Sequence, residues 1–249
     1  PSITNVSDSP MTTYVQVAGD SNHNTKDCGS KTVTITKASL TCPTSPSAKT
    51  YNGASQASGI TCPSGSSAGG NTSATNAGTY SQTCTADNNH QFASTCSVSW
   101  TINPYNLSNA TISGITSKSY TGSAITQAPT VTVPLPSGST TTLTNNTDYT
   151  YSTSNNTNVG TATITVSAKS GSNYTGSRTA TFSITKVDAT CPTLTAYSNA
   201  YDGNAHSITV SGGSGGTIQY RTSTTGTWGT TKPSITNVSD SPMTTYVQV

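Results

Sequence analysis

Seventeen residues, Pro1 to Val17 (PSITNVSDSPMTTYVQV), recur without a change at Pro233 to Val249. An identity of that length is a repeat with a period of 232 residues, because Pro233 is the copy of Pro1. Three shorter units fit inside one period, each opening near a Tyr-x-Gly and closing on an alternating strand. They are Ala38–Asn103 with Tyr51 and Gly53, Pro104–Lys186 with Tyr120 and Gly122, and Val187–Val249 with Tyr201 and Gly203. The third runs on into the sequence of Ala18–Lys37. The expected division is therefore residues 1–37 as the C-terminal part of a split domain, 38–103 and 104–186 as whole domains, and 187–249 as the N-terminal part of the next split domain.

Composition sets the class. Ser and Thr supply 93 of 249 residues, Glu is absent, and ten Lys and Arg stand against eight Asp. A helical bundle needs Ala, Leu, Glu and Lys in bulk. A nucleic-acid surface needs a strongly basic face, and a membrane helix needs about 20 apolar residues in a row; none of these occurs. Thr, Val, Ile and Tyr dominate instead, and they suit a pleated, half-buried surface. Segments such as VTVPL, TDYTYST, TATITVSA and TATFSIT alternate, with PSGST, NNTNVG and KSGSNYTG as turns between them. The reading is all-β: tandem small antiparallel β-sandwiches in an extended rod. With few aliphatic residues, Tyr, Thr methyls, Trp100 and Phe182 are expected to supply much of each small core.

Six cysteines fall in the first and third units, none in the second. Cys42 (LTCPT) and Cys191 (ATCPT) occupy equivalent places, as do Cys96 and Cys28 before a final strand. Repeat logic therefore pairs Cys42 with Cys96, leaves Cys62 with Cys84, and joins Cys191 to Cys28 of the neighbouring copy. Without a C-x-x-C spacing, zinc is the weaker reading. Disulfides imply an oxidising compartment. In the cysteine-free unit an isopeptide bond from Lys118, Lys169 or Lys186, assisted by Asp148, is a further stapling option.

Catalysis finds little support. His23 and His90 lie in aligned turns, DSNH and DNNH, which Asp and Asn capping of the local backbone explains. A metal site at Asp20, Asn22 and His23, or at Asp87, Asn89 and His90, is the competing reading. His206 precedes a strand and reads as surface. No nucleophile elbow and no paired carboxylates are evident. No cofactor, metal or enzymatic activity is expected.

The segments SKSYTGSAITQAPTVTV and LTNNTDYTYSTSNNTNVGTATITVSAKSGSNYTGS in the second unit resemble bacterial immunoglobulin-like repeats of surface proteins. AYDGNAHSITV in the third is similar to their YDG-type members. KTYNGASQ and ATNAGTYSQTCTADN in the first resemble mostly-bacterial Ig-like repeats. The Asp of the YDG triplet survives only at Asp202, with Asn52 and Thr121 in its place elsewhere. The resemblance implies tandem Ig-like domains in an extracellular, cell-surface stalk, filament or adhesin spacer. The partners it implies are other copies of the repeat, in tandem or in a fibre. The alternative function is a ligand-binding adhesin module for carbohydrate or protein, whose site would need an exposed aromatic cluster such as Tyr149, Tyr151 and Trp228.

Overall fold

The computed structural model describes residues Pro1–Val249. It is all-β, with only three single-turn 3₁₀ helices. No helix is long and apolar enough to cross a membrane. The chain forms two compact units. One is Pro1–Thr116, Thr126–Asn156 and Thr161–Phe182; the other is Ser117–Ile125, Thr157–Gly160 and Ser183–Val249.

Residues 1–37 begin with a 3₁₀ turn at Val6–Asp8 and continue as a hairpin of β1 (Met11–Val17) and β2 (Lys26–Val33). The register runs from Met11 opposite Val33 to Val17 opposite Lys26 and slips between Tyr14 and Gln16. Every β2 residue is exposed, and so are Tyr14, Val15 and Val17. A two-stranded ribbon with no buried face is marginal alone.

Residues 38–103 carry β3 (Ala38–Leu40), β4 (Lys49–Thr50), β5 (Gln56–Ala57), β6 (Ser66–Gly70), β7 (Ser73–Ala74), β8 (Gly78–Ala86), β9 (His90–Phe92) and β10 (Cys96–Asn103). The main sheet has the order β4-β10-β8-β6, with β3-β9 and β5-β7 as separate pairs. Along β10, Cys96, Val98, Trp100 and Ile102 are buried while the residues between them stay more open, the period-two pattern of a sheet with one face inside. Cys84, Cys96 and Val98 form the core cluster, joined by Cys42, Ile60, Cys62 and Phe92. The Trp100 ring lies 5.0 Å from Tyr80, and its Nε1 donates to the Asn71 carbonyl oxygen at 2.8 Å. Buried Gln82 is satisfied by Ser58 Oγ and by the Ile60 carbonyl oxygen.

Residues 104–186 hold β11 (Tyr105–Asn106), a 3₁₀ turn at Leu107–Asn109, β12 (Thr111–Ser113), β13 (Lys118–Ser119), β14 (Thr130–Pro134), β15 (Thr140–Thr142), β16 (Tyr149–Ser154), β17 (Gly160–Ala168), β18 (Tyr174–Thr175) and β19 (Ser177–Thr185). The strand order β13-β19-β17-β16 repeats that of β4-β10-β8-β6. Lys49 and Thr50 run parallel to Ile102 and Asn103, as Lys118 and Ser119 run parallel to Ile184 and Thr185. Here the buried set is largely aliphatic, with Val131 and Val133 on β14, Ile164 and Val166 on β17 and Ile184 on β19, joined by the aromatic Tyr149, Tyr174 and Phe182.

Residues 187–249 carry β20 (Thr193–Thr195), β21 (Thr209–Ser211), β22 (Gln219–Arg221), a 3₁₀ turn at Val238–Asp240 and β23 (Tyr246–Gln248). No residue of this stretch is fully buried. The guanidinium of Arg221 lies 4.3 Å from the Trp228 ring centre and 5.6 Å from that of Tyr246. The two copies of the 17-residue repeat share the 3₁₀ turn but differ in partner. β1 pairs with β2, whereas β23 pairs with β22.

Both disulfides expected for residues 38–103 are formed. Cys42–Cys96 spans 54 residues and Cys62–Cys84 spans 22. On the chain-entropy model these loops correspond to about 4 and about 3 kcal/mol. Replacing Cys42 and Cys96 together with Ala should lower the stability of residues 38–103 more than replacing Cys62 and Cys84. The measurement is hydrogen exchange of the β8 and β10 amides in each double variant.

Candidate functional site

Two asparagine clasps recur in the first compact unit. At Asn173, Oδ1 accepts from the Ala77 backbone N–H at 2.8 Å, and Nδ2 donates to Asn76 Oδ1 at 3.1 Å. At Asn89, Oδ1 accepts from the Val6 N–H at 2.9 Å, and Nδ2 donates to Asn5 Oδ1 at 3.1 Å. The backbone donor fixes the amide orientation in each case, since only Oδ1 can accept from an N–H; Nδ2 is then left to face the second asparagine.

The surroundings match as well. Asn89 and Asn173 both sit in the turn after the long strand, β8 or β17. Their own carbonyl oxygens accept from the backbone N–H groups of Ala38 and Tyr105, each at 2.9 Å. The next residue enters a short strand parallel to the chain's entry: His90 opposite Ala38, Tyr174 opposite Tyr105. The clasped loops precede β8 and β1, and both read Thr-Asn followed by a small apolar residue: Thr75-Asn76-Ala77 and Thr4-Asn5-Val6.

Around the Asn173 clasp the contact broadens. Tyr51 meets Tyr174 edge-on at 5.6 Å. Burial, then the neighbouring Tyr51 and Asp148, push the Tyr174 phenol well above its ordinary pKa, so it stays neutral. A Cβ at Gly53 would come within 2.8 Å of Leu135 Cδ1, so this glycine also permits close approach. An open cleft of about 470 Å³ lies alongside, between Ala77–Thr79, Thr101–Pro104 and Ala168–Gly176. Its one charged side chain, Lys169, donates to the Asn146 carbonyl oxygen.

The Tyr-x-Gly positions are three copies of one turn. Gly53, Gly122 and Gly203 have φ of 80°, 78° and 79°, a left-handed backbone that favours glycine. The preceding side chain accepts from the N–H two residues on: Asn52 from Ala54, Thr121 from Ser123, Asp202 from Asn204. Tyr51 and Tyr120 donate their N–H groups to the Asn103 and Thr185 carbonyl oxygens.

The histidines are held by their own turns. His23 Nδ1 lies 2.9 Å from Asp20 Oδ1 and His90 Nδ1 2.6 Å from Asp87 Oδ1. His206 lies 2.7 Å from Asp202 and stacks on Tyr197 at 4.0 Å. No three His, Cys or Asp side chains converge as a metal site. Tyr149 is buried, with its hydroxyl donating to the Pro129 carbonyl oxygen at 3.0 Å, and Trp228 is covered by Arg221. Neither joins an exposed aromatic platform. Cys28 and Cys191 are free and exposed. No protein-family model matches the chain, and no curated protein matches it.

The clasped loops carry a sequence signal, although the clasping asparagines carry none. Thr-Asn-Val or Thr-Asn-Ala occurs at residues 4–6, 75–77, 157–159 and 236–238, each time ahead of a strand or its equivalent. Asn173→Ala should weaken the docking around Ala77 by about 1–2 kcal/mol, the value of two partly exposed hydrogen bonds. Faster exchange of the Ala77 amide, with that of Val6 unchanged, is the expected readout.

The His206 hydrogen bond, then the Asn204 N–H, hold the Asp202 carboxyl down at about 2, below its ordinary 3.8. A depressed carboxyl stabilises the fold above the ordinary value and loses that contribution as the pH falls through about 2. Asp202→Asn should keep the turn, as Asn52 does in its own copy, and remove this acid dependence. Carboxyl and amide NMR titration between pH 5 and 1.5 would check both points, with roughly those limits.

Proposed function

We propose that the chain is a structural repeat of an extracellular stalk, filament or adhesin spacer, built of tandem Ig-like sandwiches that span distance and carry tension. The observation that carries this reading is the clasp. Two successive junctions in the first unit use the same asparagine, the same pair of hydrogen bonds and the same backbone geometry. A recurrent, specified joint is what a spacer of fixed reach needs and what freely swinging domains lack. The paired sheets of residues 38–103 and 104–186, with one strand order in both, fit the sandwich reading. The sequence resemblance to bacterial surface repeats points the same way.

Supporting features come from the staples and the surface. Two disulfides fit an oxidising, extracellular setting. Cys42–Cys96 ties the start of its domain to the last strand, where pulling force enters and leaves. Neither clasp is made by a charged pair, so salt has little to screen in those hydrogen bonds. A strand of nine residues, such as β8 or β17, reaches about 30 Å, which sets the length each domain contributes.

Residual dipolar couplings test the reading. One alignment tensor should fit the amides of residues 38–103 and of 126–156 with 161–182, at low and at high salt alike. In a variant carrying Asn173→Ala and Tyr51→Ala, two tensors should be needed. A need for two in the unaltered chain would sink the proposal.

A further inference from the structure

A third site of clasp type, with nothing seated on it, is found in the second compact unit, that of Ser117–Ile125, Thr157–Gly160 and Ser183–Val249. Thr157-Asn158-Val159 repeats the bend of Thr75-Asn76-Ala77, and the strand after each begins at a glycine of similar φ, 143° at Gly160 and 159° at Gly78. Ala77 and Tyr51 are half-buried under their clasp. Their counterparts Val159 and Tyr120 are 45% and 39% exposed.

The matching clasp turn lies in residues 18–37. Asp20 Oδ1 accepts from the N–H groups of Asn22 and His23 and bonds His23 Nδ1; likewise Asp87 Oδ1 accepts from the Asn89 N–H and bonds His90 Nδ1, while the His90 N–H goes to the Asp87 carbonyl oxygen. Asn22 is thus the counterpart of Asn89 and Asn173. The turn is already formed, yet the His23 side chain is 78% exposed against 29% for His90.

The strands say the same. β8 lies between β6 and β10. Its two counterparts, β1 and β23, have one sequence, but β1 is paired only with the counterpart of β10, and β23 only with that of β6. One edge of β23 therefore lacks the strand that β2 provides for β1. Cys191 follows Thr190 as Cys42 follows Thr41, Cys28 stands near the start of β2 as Cys96 starts β10, and only the second of these pairs is bonded.

We propose that residues 18–37 of a second copy of this repeat complete the second unit: Asn22 clasps Asn158 and Val159, His23 covers Tyr120, β2 lies along β23, and Cys28 joins Cys191. This rests on the tandem-repeat reading above. The covalent step is an exchange with a small-molecule disulfide such as oxidised glutathione. The two cysteine thiols give up two electrons and two protons, one S–S bond forms, and the reduced oxidant leaves as two thiols.

The test uses the full chain carrying Cys28→Ser, so that Cys191 is its one free thiol, in a glutathione redox buffer. The probes are a synthetic peptide of residues 18–37, the same peptide with Asn22→Ala, and a scrambled peptide with one cysteine. The native peptide should be captured at Cys191 at least about tenfold more than the scrambled one, with the Val159 amide exchanging about tenfold more slowly in the adduct. The Asn22→Ala peptide should still be captured but lose most of that protection. Equal capture of native and scrambled peptides, no capture at all, or capture without protection of Val159 overturns the proposal. The Val6 and Ala77 amides, followed in the same samples, separate the two readings. If they stay protected while the peptide fails, only the third clasp is lost; if they exchange freely in the unaltered chain, the repeated joint itself is wrong.

Discussion

A carboxamide that offers one acceptor and one donor in a fixed plane is the interaction on which the organisation of the first unit turns. Asn89 and Asn173 each read a backbone N–H and a second asparagine at once, so the contact specifies both position and orientation. An aliphatic joint would specify neither as well, and this chain has few aliphatic side chains to spend. Each hydrogen bond is worth only about 0.5–1.5 kcal/mol net, so the joint depends on the clasp and the Tyr51–Tyr174 contact acting together. The acceptor loop and the clasping turn lie at opposite ends of the same long strand. A contact between unlike surfaces of that kind is head-to-tail, not the self-complementary kind that pairs a patch with its own copy.

Two different solutions fill the cores. Residues 104–186 bury a run of branched aliphatics on β14, β17 and β19 and carry no cysteine. Residues 38–103 have only Val98, Ile102 and Trp100 on β10 for the same purpose, and the four half-cystines pack against Val98 and Phe92 as part of the apolar cluster. There the disulfides act twice, restricting the unfolded chain and supplying buried volume. The absence of cysteine from the better-filled core follows from the same accounting of apolar area.

Strand content was legible because alternation survives even when Thr replaces Val; the pattern of β10, β17 and β19 can be read directly from the letters. The pairing of Cys42 with Cys96 followed from equivalent positions in repeated units, a symmetry argument that needs no coordinates. The clasps were not legible, because 20 asparagines in a Ser- and Thr-rich chain give no single one any prominence. Only the strand order reveals that Asn89 and Asn173 stand at the same corner. The Tyr-x-Gly positions were visible as markers, but not that Asn52, Thr121 and Asp202 do one job with three chemistries. Each offers an oxygen to the N–H two residues on, and the carboxylate of Asp202 alone adds a histidine and a titration.

The same three turns show how a repeat is constrained by its neighbour as well as by its own backbone. Gly53, Gly122 and Gly203 share one left-handed conformation, and that alone would favour glycine at all three. At Gly53 there is a second reason, because Leu135 Cδ1 occupies the space a side chain would take. Nothing lies within 4 Å of the corresponding point at Gly122, and at Gly203 only the Tyr201 hydroxyl comes as close as 3.9 Å. Of the three, Gly53 is the one with a side chain from residues 104–186 packed against it. An alanine there would meet backbone strain and a collision together, whereas at the other two it meets strain alone. The difference in steric demand among three otherwise equivalent glycines thus comes from a side chain packed against only one of them.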